Sequence, residues 1–423
     1  MANTMENNPS VAFHTLGCKL NQAESELLAR RFIESGYRII NGYNADICIL
    51  NTCTVTHIAD RKSRHLVRLL RRRNPESFIV VTGCYGERAH QEVVQIGADL
   101  VVANKQKMNL PDLIRNKFIS SSYYPTEQPA STDRVRSFVK IQDGCNDFCA
   151  YCIVPTVRGR EHSLPVEEVI DEVKARALDG YKEVVLTGTK VGNYKHNEFN
   201  LNHLIEQVLI NTAIERLHIS SLQPQEISPA LLSLWQDSRL CRHFHMALQS
   251  GSDTVLKRMK RHYSTTDYRD AISLIRKMVP DVAITTDIMV GFPGESEEEF
   301  DESYRFCQEI GFANIHVFPY SPRPGTLAAK IPEQVSDKQK KERNQAMLKL
   351  AKESANKFCE SFLGKILTVL WENEVTPGNG VYSGLSDNYI RVFTKSHQSL
   401  TNQLLPVRMV RLYKQGMWGE VIK

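Results

Sequence analysis

The chain has 423 residues, of which 42% are hydrophobic and 24% are charged, and its formal net charge is +5. These values are ordinary for a globular protein of two or three domains, and so mild a net charge identifies no partner. No apolar run reaches the roughly 18 residues of a membrane span, and residues 1–10 lack the apolar core of a signal peptide. Ten cysteines without a secretory signal favour a cytoplasmic protein whose cysteines serve metal binding or catalysis rather than disulfides.

Short apolar runs alternate with helical stretches between residues 11 and 103. We expect strands at residues 11–16, 46–50, 78–82 and 99–103, and helices at residues 24–35, 57–73 and 87–95. This alternation predicts an open parallel sheet with helices on its faces, within an N-terminal domain of residues 9–119.

Three cysteines of this region, Cys18, Cys53 and Cys84, each follow the end of a different predicted strand. The C-terminal ends of parallel strands share one edge, so thiols that are distant in sequence can converge there. Coincidence in short loops is the plain alternative, but the repeated placement favours a metal site. Cys48 lies within a strand and is expected to be a core residue.

The helix at residues 57–73 is strongly basic, because residues 60–73 carry seven Lys or Arg and a single acid. Arg61, Arg64, Arg68 and Arg72 form one stripe at helical spacing. Such a stripe is either a solvated surface or a contact for a polyanion such as nucleic acid, and the sequence does not separate the two.

Residues 120–134 are polar, contain two prolines and show no periodicity, which predicts an interdomain linker. Beyond them, Cys145, Cys149 and Cys152 form a CxxxCxxC motif. Thiolates select zinc, copper(I) or iron–sulfur clusters, and no second CxxC or His pair completes a zinc site nearby. Three thiolates on a cluster of four irons leave one iron open for a substrate or cofactor. A free-thiol loop or an incidental zinc site is the alternative.

Six strand-like runs with helical or irregular connections follow between residues 135 and 319, centred on Val139, Val185, His218, His245, Ile288 and Val317. Six consecutive βα units predict a partial barrel with its site at the C-terminal ends of the strands. Glycine and polar residues cluster at these ends, among them Gly188, Gln249 and Ser250. Any one of them alone is an ordinary turn residue, so the prediction depends on their shared position.

A charged helical stretch at residues 334–362 completes a core that we place at residues 135–362. Residues 363–423 change to short alternating strands at 366–371, 389–393 and 404–413, with Arg408, Arg411 and Lys414 in or beside the last. A tail of this kind is typical of a small β-barrel, which is a common nucleic-acid module.

The CxxxCxxC motif, with Tyr151 directly before its last cysteine, resembles the cluster-binding motif of radical S-adenosylmethionine enzymes. Over nearly its full length the chain resembles the tRNA methylthiotransferase family. That family combines three scattered N-terminal cysteines, a CxxxCxxC barrel and a C-terminal β-barrel of the TRAM type. Residues 245–252 (HMALQSGS) and 287–295 (DIMVGFPGE) are similar to its fourth- and fifth-strand motifs.

Four stretches are most similar to the branch that acts on N6-threonylcarbamoyladenosine next to the anticodon of tRNA. They are residues 13–22 (FHTLGCKLNQ), 51–56 (NTCTVT), 60–63 (DRKS) and 316–326 (HVFPYSPRPGT). Sister branches modify isopentenyladenosine in tRNA or an aspartate of a ribosomal protein. The chain departs from many radical enzymes at strand two, where Thr187, Gly188 and Thr189 replace a Gly-Gly-Glu motif whose acid holds the methionine amino group.

The resemblance implies two [4Fe–4S] clusters, the first on Cys18, Cys53 and Cys84 and the second on Cys145, Cys149 and Cys152. It also implies S-adenosylmethionine at the second cluster, with Gly188, Gln249 and Ser250 as candidate contacts. One S-adenosylmethionine methylates a sulfur held on the first cluster, and another yields the radical that drives replacement of the adenine C2 hydrogen by the methylthio group. The implied partners are tRNA, an electron donor and a sulfur source, with no membrane. The tail is expected to bind tRNA and to add little to the core.

Two other functions are compatible with the same residues. In the first, the barrel is a radical enzyme whose N-terminal cluster only transfers electrons, with a protein or a small molecule as substrate. In the second, the chain is a zinc-stabilised RNA-binding protein without catalysis.

Overall fold

The computed structural model describes residues 8–118 and 135–422. The predicted linker at residues 120–134 lies outside these described residues. Within the two described ranges, no helix is both long and apolar enough to cross a membrane.

The N-terminal region is an open parallel sheet, which confirms the predicted architecture. Its described strands are β1 (Ser10–Thr15), β2 (Arg38–Ile39), β3 (Ile47–Thr52), β4 (Phe78–Gly83) and β5 (Leu100–Val101), in the spatial order β2-β1-β3-β4-β5. The helices are α1 (Lys19–Glu34), α2 (His57–Arg73), α3 (Cys84–Arg88), α4 (His90–Gln95) and α5 (Leu110–Phe118). The sequence pattern does not predict β2 or α5, and α1 begins five residues before the expected helix, directly after Cys18.

The central strand β3 is buried along its whole length, because helices cover both faces of the sheet. Cys48 and Leu50 pack into the core on one face, whereas Ile47 and Ile49 pack into the core on the other. This alternation follows from the two-residue period of a strand. Cys48 is completely buried, which confirms that it is a core residue.

The central region is a partial barrel. Its described strands are β6 (Arg136–Lys140), β7 (Gln142–Asp143), β8 (His162–Ser163), β9 (Glu183–Thr187), β10 (Lys195–His196), β11 (Phe199–Asn200), β12 (Arg216–Ile219), β13 (Ser221–Leu222), β14 (His243–Met246), β15 (Ala283–Val290) and β16 (Asn314–Pro319). Parallel pairing gives the arc β6-β9-β12/β13-β14-β15-β16, in which β13 continues β12 beyond Ser220. All six predicted strand centres lie in this arc, and β6 and β16 form its two ends, so the barrel is open between them.

Helices cover the outer face of the arc. They are α7 (Val166–Leu178), α8 (Leu201–Asn211), α9 (Pro229–Leu232), α10 (Asp253–Arg258), α11 (Thr265–Met278), α12 (Glu297–Ile310) and α13 (Asp337–Glu360). The short helix α6 (Val154–Arg158) packs against the N-terminal region instead. The hydroxyl of Ser296 accepts from the backbone of Glu299 in a capping box that begins α12.

Alternate residues of the strands point into the barrel lumen. Val184 and Leu186 pack outward against the helices, so Glu183 and Thr187, at the intervening positions, point inward. The same alternation gives the lumen an unusually polar lining: Arg136, His218, His243, His245, Thr285, Asp287 and His316. A closed barrel normally fills this space with branched apolar side chains. This polar lumen, called the chamber below, is packed at the N-terminal ends of its strands, where Glu183 and His218 are fully buried, and accessible at His316.

The C-terminal region is a closed barrel. Its described strands are β17 (Ile366–Glu374), β18 (Val381–Ser386), β19 (Arg391–Lys395), β20 (Leu404–Tyr413) and β21 (Gly416–Val421), in the order β17-β18-β19-β21-β20. The sequence predicts β17, β19 and β20 but misses β18 and β21. Both missed strands contain glycines that packing requires, since a Cβ on Gly384 would lie 2.5 Å from the Leu370 carbonyl oxygen and one on Gly419 2.4 Å from Val407. In the sequence, such glycines are indistinguishable from turn residues.

Tyr389, in the turn between β18 and β19, closes the N-terminal end of the central barrel. Its ring stacks on those of His218 and His243, with centroids 4.3 and 4.5 Å apart, and its hydroxyl donates to Glu183 at 2.5 Å. Arg216 donates to the carbonyl oxygens of Leu385 and Ser386 at 3.0 and 2.6 Å. The tail therefore pairs buried groups at the bottom of the barrel, which the sequence does not indicate. The expectation that its function is limited to tRNA binding stays a prediction.

Replacing Tyr389 by alanine is expected to destabilise the central barrel by about 3 kcal/mol, because the change removes a packed ring between two histidines. Tyr389→Phe keeps the ring and loses only the bond to Glu183, so its cost is expected to be about 1 kcal/mol. Urea unfolding followed by circular dichroism measures both variants. Equal and negligible effects would show that the tail does not support the core.

Candidate functional site

The first predicted thiol triad converges at the C-terminal edge of the N-terminal sheet. Cys18 precedes α1, Cys53 follows β3 and Cys84 begins α3, and each thiol interacts electrostatically with the others. Gly17 has φ +115°, and a Cβ at this position would lie 2.7 Å from the Cβ of Cys53. Only glycine fits there, so the backbone forms a close cradle around the thiols.

Burial dominates the acid–base properties of this triad. It raises the pKa of Cys53 to about 11, and it raises the pKa of Cys84 against the opposing charges of Arg158 and Lys107. These two thiols are therefore protonated near neutral pH, and binding a metal must release their protons. The donor set of three sulfurs and the glycine cradle fit an iron–sulfur cluster.

The second triad lies in the loop that follows β7. Cys145, Cys149 and Cys152 interact electrostatically, and burial raises the pKa of Cys145 to about 11 and that of Cys152 to about 12. Gly144 holds the loop in place, since it has φ +73° and a Cβ there would lie 2.0 Å from the Arg160 carbonyl oxygen. These donors also fit an iron–sulfur cluster.

Neither triad is arranged like a single-ion site. Among the described residues, no three His, Cys, Asp or Glu side chains are placed to hold one metal ion. In an iron–sulfur cluster each thiolate binds a separate iron, so the sulfurs stand further apart than the ligands of a zinc ion.

The two triads are neighbours in space. Cys84 packs against Ile153, the residue directly after Cys152, and against Val157 of α6. Asn104 donates to the Val157 carbonyl oxygen at 2.6 Å and so adds a polar contact at the same place. The structure therefore brings the N-terminal thiols beside the CxxxCxxC loop, which the sequence alone does not indicate.

Arg158 at the end of α6 connects the two sites through buried charges. Its guanidinium donates to Glu24 at 3.1 Å, to Asp143 at 2.9 and 3.0 Å, and to Asn21 at 2.5 Å. Lys107 donates to Glu24 at 2.7 Å, and both side chains are 1% exposed. Burial raises the pKa of Glu24, but the charges of Lys107 and Arg158 outweigh this effect and hold it below its usual range.

Sequence reasoning missed this network. Glu24, Lys107 and Arg158 lie in three separate helical segments, and no short motif joins them. The only local signal in the sequence was that Arg158 follows the cysteine motif closely, and a basic residue at such a position is also common on protein surfaces.

A second group of charges surrounds the CxxxCxxC loop. Lys190 pairs with Asp147 at 2.7 Å, and Arg261 donates to the sulfur of Cys149 at 3.3 Å. Glu226 follows β13, and burial raises its pKa to about 7. Its Oε1 is buried without a hydrogen-bond partner among the described residues, which leaves one carboxylate oxygen available to a ligand.

The three predicted cofactor contacts all lie at the C-terminal ends of barrel strands. A Cβ on Gly188 would lie 2.7 Å from the Gln142 carbonyl oxygen, so the chain passes closely there. Gln249 has φ +73°, and its backbone bonds to that of Asp287 and Met289 in β15. The hydroxyl of Ser250 is buried and accepts from the Ser252 amide at 3.2 Å, so this side chain serves the turn itself.

The basic helix α2 begins at the rim of the barrel. The Arg323 guanidinium donates to Asp60 at 2.7 Å and to the Thr54 carbonyl oxygen at 2.9 Å. Along the predicted stripe, Arg64 bonds to Glu92 and the Tyr85 hydroxyl, at 3.3 Å each, and is therefore used within the fold. The remaining members Arg61, Arg68 and Arg72 are exposed.

Comparison with known proteins gives matches over the whole chain. Residues 139–307 match the family model described as the Radical SAM superfamily, and residues 10–103 match that of uncharacterized protein family UPF0004. The threonylcarbamoyladenosine tRNA methylthiotransferase MtaB of Bacillus subtilis is 36% identical over 440 aligned positions, covering 98% of this chain and 97% of that protein. The tRNA-2-methylthio-N(6)-dimethylallyladenosine synthase of Methylacidiphilum infernorum is 31% identical, covering 97% and 94% respectively.

Among solved structures, the radical S-adenosylmethionine methyltransferase TsrM from Kitasatospora setae, with cobalamin and a [4Fe–4S] cluster bound, aligns with a TM-score of 0.56. The alignment covers 76% of this chain and 74% of TsrM at 13% identity. At this identity the likeness concerns the fold alone.

Replacing Arg158 by methionine is expected to destabilise the protein by about 3–5 kcal/mol, since Asp143 would lose its shortest ion pair and Glu24 one of its buried partners. Arg160→Met is a matched control, because that exposed side chain only stacks over Phe148. Urea unfolding of both variants measures the difference. Equal stability of the two would mean that the buried network contributes nothing.

Proposed function

Since the chain belongs to the family of radical S-adenosylmethionine tRNA methylthiotransferases, we propose that it adds a methylthio group to C2 of N6-threonylcarbamoyladenosine next to the anticodon of tRNA. The observation that carries the proposal is the contact between the two thiol triads, in which Cys84 packs against the residue after Cys152. A sulfur carrier and a radical source must meet at one base, and the proximity of the two thiol triads supports these two roles.

As a member of this family the protein uses S-adenosylmethionine and a [4Fe–4S] cluster. Cys145, Cys149 and Cys152 would hold that cluster, which when bound supplies the electron for reductive cleavage of S-adenosylmethionine. Arg261 and Glu226 support the placement of the methionine part, since a guanidinium beside Cys149 suits its carboxylate and an unpartnered carboxylate oxygen suits its ammonium. Glu226 would then replace the acid of the Gly-Gly-Glu motif that this chain lacks at the end of its second barrel strand.

Cys18, Cys53 and Cys84 would hold a second cluster, whose chemistry when bound is to carry the sulfur that is transferred. The positive charge of Arg158 supports this role, because it favours the thiolate form of Cys84. The bond from Arg158 to Asp143 fixes the guanidinium at the same time to the start of the CxxxCxxC loop.

Two basic surfaces support tRNA as the substrate. The first is the exposed part of the α2 stripe, which begins at the barrel rim. The second lies on β20, where Arg411 stacks over the rings of Tyr413 and Trp418 at 5.2 and 5.4 Å. Cations interleaved with aromatic rings suit both phosphates and unstacked bases.

The target base must leave the anticodon stack to reach the barrel. Phe318 of β16 occupies an inward position at the open side of the barrel and is 43% exposed. An exposed aromatic ring at the entrance of a polar chamber offers a stacking surface for the flipped base.

The direct test of the proposal uses the anaerobically reconstituted protein with an anticodon stem–loop that carries N6-threonylcarbamoyladenosine, S-adenosylmethionine, sulfide and dithionite. The expected product is the 2-methylthio derivative of that nucleoside, detected by mass spectrometry. A stem–loop with isopentenyladenosine is expected to give far less product. The reverse preference would assign the chain to the sister branch.

Iron and sulfide analysis is expected to give about eight of each per chain, since two clusters of four irons are proposed. Changing Cys18, Cys53 and Cys84 together to Ala should leave about four of each. Given dithionite, this variant is expected to form 5′-deoxyadenosine but no methylthiolated RNA, because the methylthio group then has no source.

The control for the triple variant is Cys48→Ala, whose thiol lies in the sheet core and which should keep both clusters. Circular dichroism must show that the triple variant is folded, because metal binding and folding are coupled. Methylthiolated product above background from the folded triple variant would assign the N-terminal cluster to electron transfer.

Changing Arg61, Arg68 and Arg72 to Gln is expected to weaken tRNA binding about 10-fold and to lower the salt dependence of binding by roughly two to three phosphate contacts. The matched control removes the same charge from outer helices of the barrel by changing the exposed Lys257, Lys277 and Lys352 to Gln. Filter binding at several salt concentrations measures both. If both triple variants weakened tRNA binding equally, the stripe would contribute only through the overall charge of the protein.

A further inference from the structure

Helix α1 covers the open side of the central barrel. Ala23 packs against Phe138 of β6 and Val185 of β9, which both point into the lumen. Glu26 accepts hydrogen bonds from the Ser137 hydroxyl at 2.9 Å and from the free-edge amide of Phe138 at 3.4 Å. Lys19 precedes Ala23 by four residues and therefore lies on the same face of the helix. Lys19, the first residue of the helix, therefore points towards the barrel.

The Lys19 ammonium lies inside the chamber. Its charge interacts with Arg136 of β6, Glu183 of β9 and Asp287 of β15. It acts in turn on His218 of β12, His243 of β14 and His316 of β16. These six groups come from the six strands of the arc, so the ammonium is surrounded by the barrel wall.

In the described part of the chain, no carboxylate lies within ion-pair distance of this ammonium. Lys107 and Lys140 differ in this respect, because both pair with Glu24, at 2.7 and 3.5 Å. The carboxylates that face Lys19 across the lumen have other partners. Glu183 accepts from the Tyr389 hydroxyl, and Asp287 lies 3.2 Å from His245. A cation in this position is available to an anionic ligand that enters the chamber.

The entrance to the chamber lies on the β16 side. His316 is exposed there, and Phe318 follows it at the next inward position. A base that stacks on Phe318 would direct its exocyclic substituent along the lumen towards His316 and Lys19. The chemistry of that substituent then decides whether the cation gains a partner.

We propose that Lys19 binds the carboxylate of the threonylcarbamoyl substituent on the target adenine and so selects this base over one with an apolar substituent. The inference rests on the proposed function, in which that base is the substrate. An isopentenyl group would leave the ammonium desolvated and unpaired, and a site built for a charged group rejects an analogue without it strongly. Lys19 is thus a specificity residue that acts through substrate contact.

The test compares two anticodon stem–loops, one with N6-threonylcarbamoyladenosine and one with its carboxylate converted to the methyl ester. The wild-type protein is expected to methylthiolate the acid with a kcat/KM about 10- to 100-fold above that of the ester, as for a charge-assisted hydrogen bond. For Lys19→Gln the ratio should fall to near one. Lys277→Gln, a change on the exposed surface of α11, should keep the wild-type ratio.

A merely structural role of Lys19 would lower both rates and leave their ratio unchanged, which would overturn the inference. Loss of S-adenosylmethionine binding by Lys19→Gln in equilibrium dialysis without RNA would also overturn it, since the ammonium would then serve the methionine carboxylate. A wild-type ratio of kcat/KM for the acid to that for the ester near one would overturn the inference without any variant. Failure of the wild-type protein to modify either stem–loop would instead refute the proposed function.

Discussion

The buried charge network around Arg158 holds the two cysteine sites together. A guanidinium and a carboxylate removed from water are costly unless each finds several partners, and Arg158 and Glu24 satisfy one another across the boundary between the N-terminal sheet and the barrel. Asp143, two residues before Cys145, binds the same guanidinium. Any displacement of one domain against the other would expose unpaired charges, so the spacing of the two thiol triads is fixed by electrostatics rather than by a covalent link.

The central barrel also depends on the neighbouring regions, because its six strands do not form a closed barrel. Helix α1 of the N-terminal region covers the open side, and Tyr389 of the C-terminal barrel closes the bottom. The polar lumen makes both contributions necessary. His218 and His243 lie 2.8 Å apart inside it, and the Tyr389 ring stacks on both, which keeps these imidazoles out of water. The N-terminal and C-terminal regions thus both contribute side chains to the surroundings of the barrel lumen.

How much of this structure the sequence predicts depends on how far apart in the sequence the interacting residues lie. The parallel sheet, the six barrel strands and the edge position of Cys18, Cys53 and Cys84 are predictable, because hydrophobic period and βα alternation are local. The contact of Cys84 with Ile153 and the network around Arg158 are not, since they join residues that are far apart in sequence. Two of the six strand centres, His218 and His245, are polar, but the local pattern does not show that Arg136, His243 and His316 face the same lumen.

The C-terminal barrel shows a different limit. Gly384 and Gly419 have the sequence pattern of turn residues, but they lie within strands where a side chain would collide with the neighbouring strand. Tyr389 does lie in a turn, and its side chain contacts the central barrel. Turn chemistry is a local signal, and it does not reveal what the turn contacts. The contacts of the tail with the floor of the central barrel were missed for this reason, whereas tRNA binding by the tail stays a prediction.

If Lys19 binds the substrate as proposed, a single peptide step would connect substrate recognition to the proposed sulfur site. Cys18 faces the N-terminal thiol site, and the next residue opens α1 and enters the barrel lumen. An anionic substituent held by Lys19 is therefore fixed relative to the same helix end that carries one of the proposed sulfur-site ligands. Glu26, further along this helix, is bonded to the edge of β6, which prevents the helix from sliding. The proposed substrate contact and one proposed sulfur-site ligand are therefore adjacent residues at the start of a helix that packs against both the N-terminal sheet and the barrel.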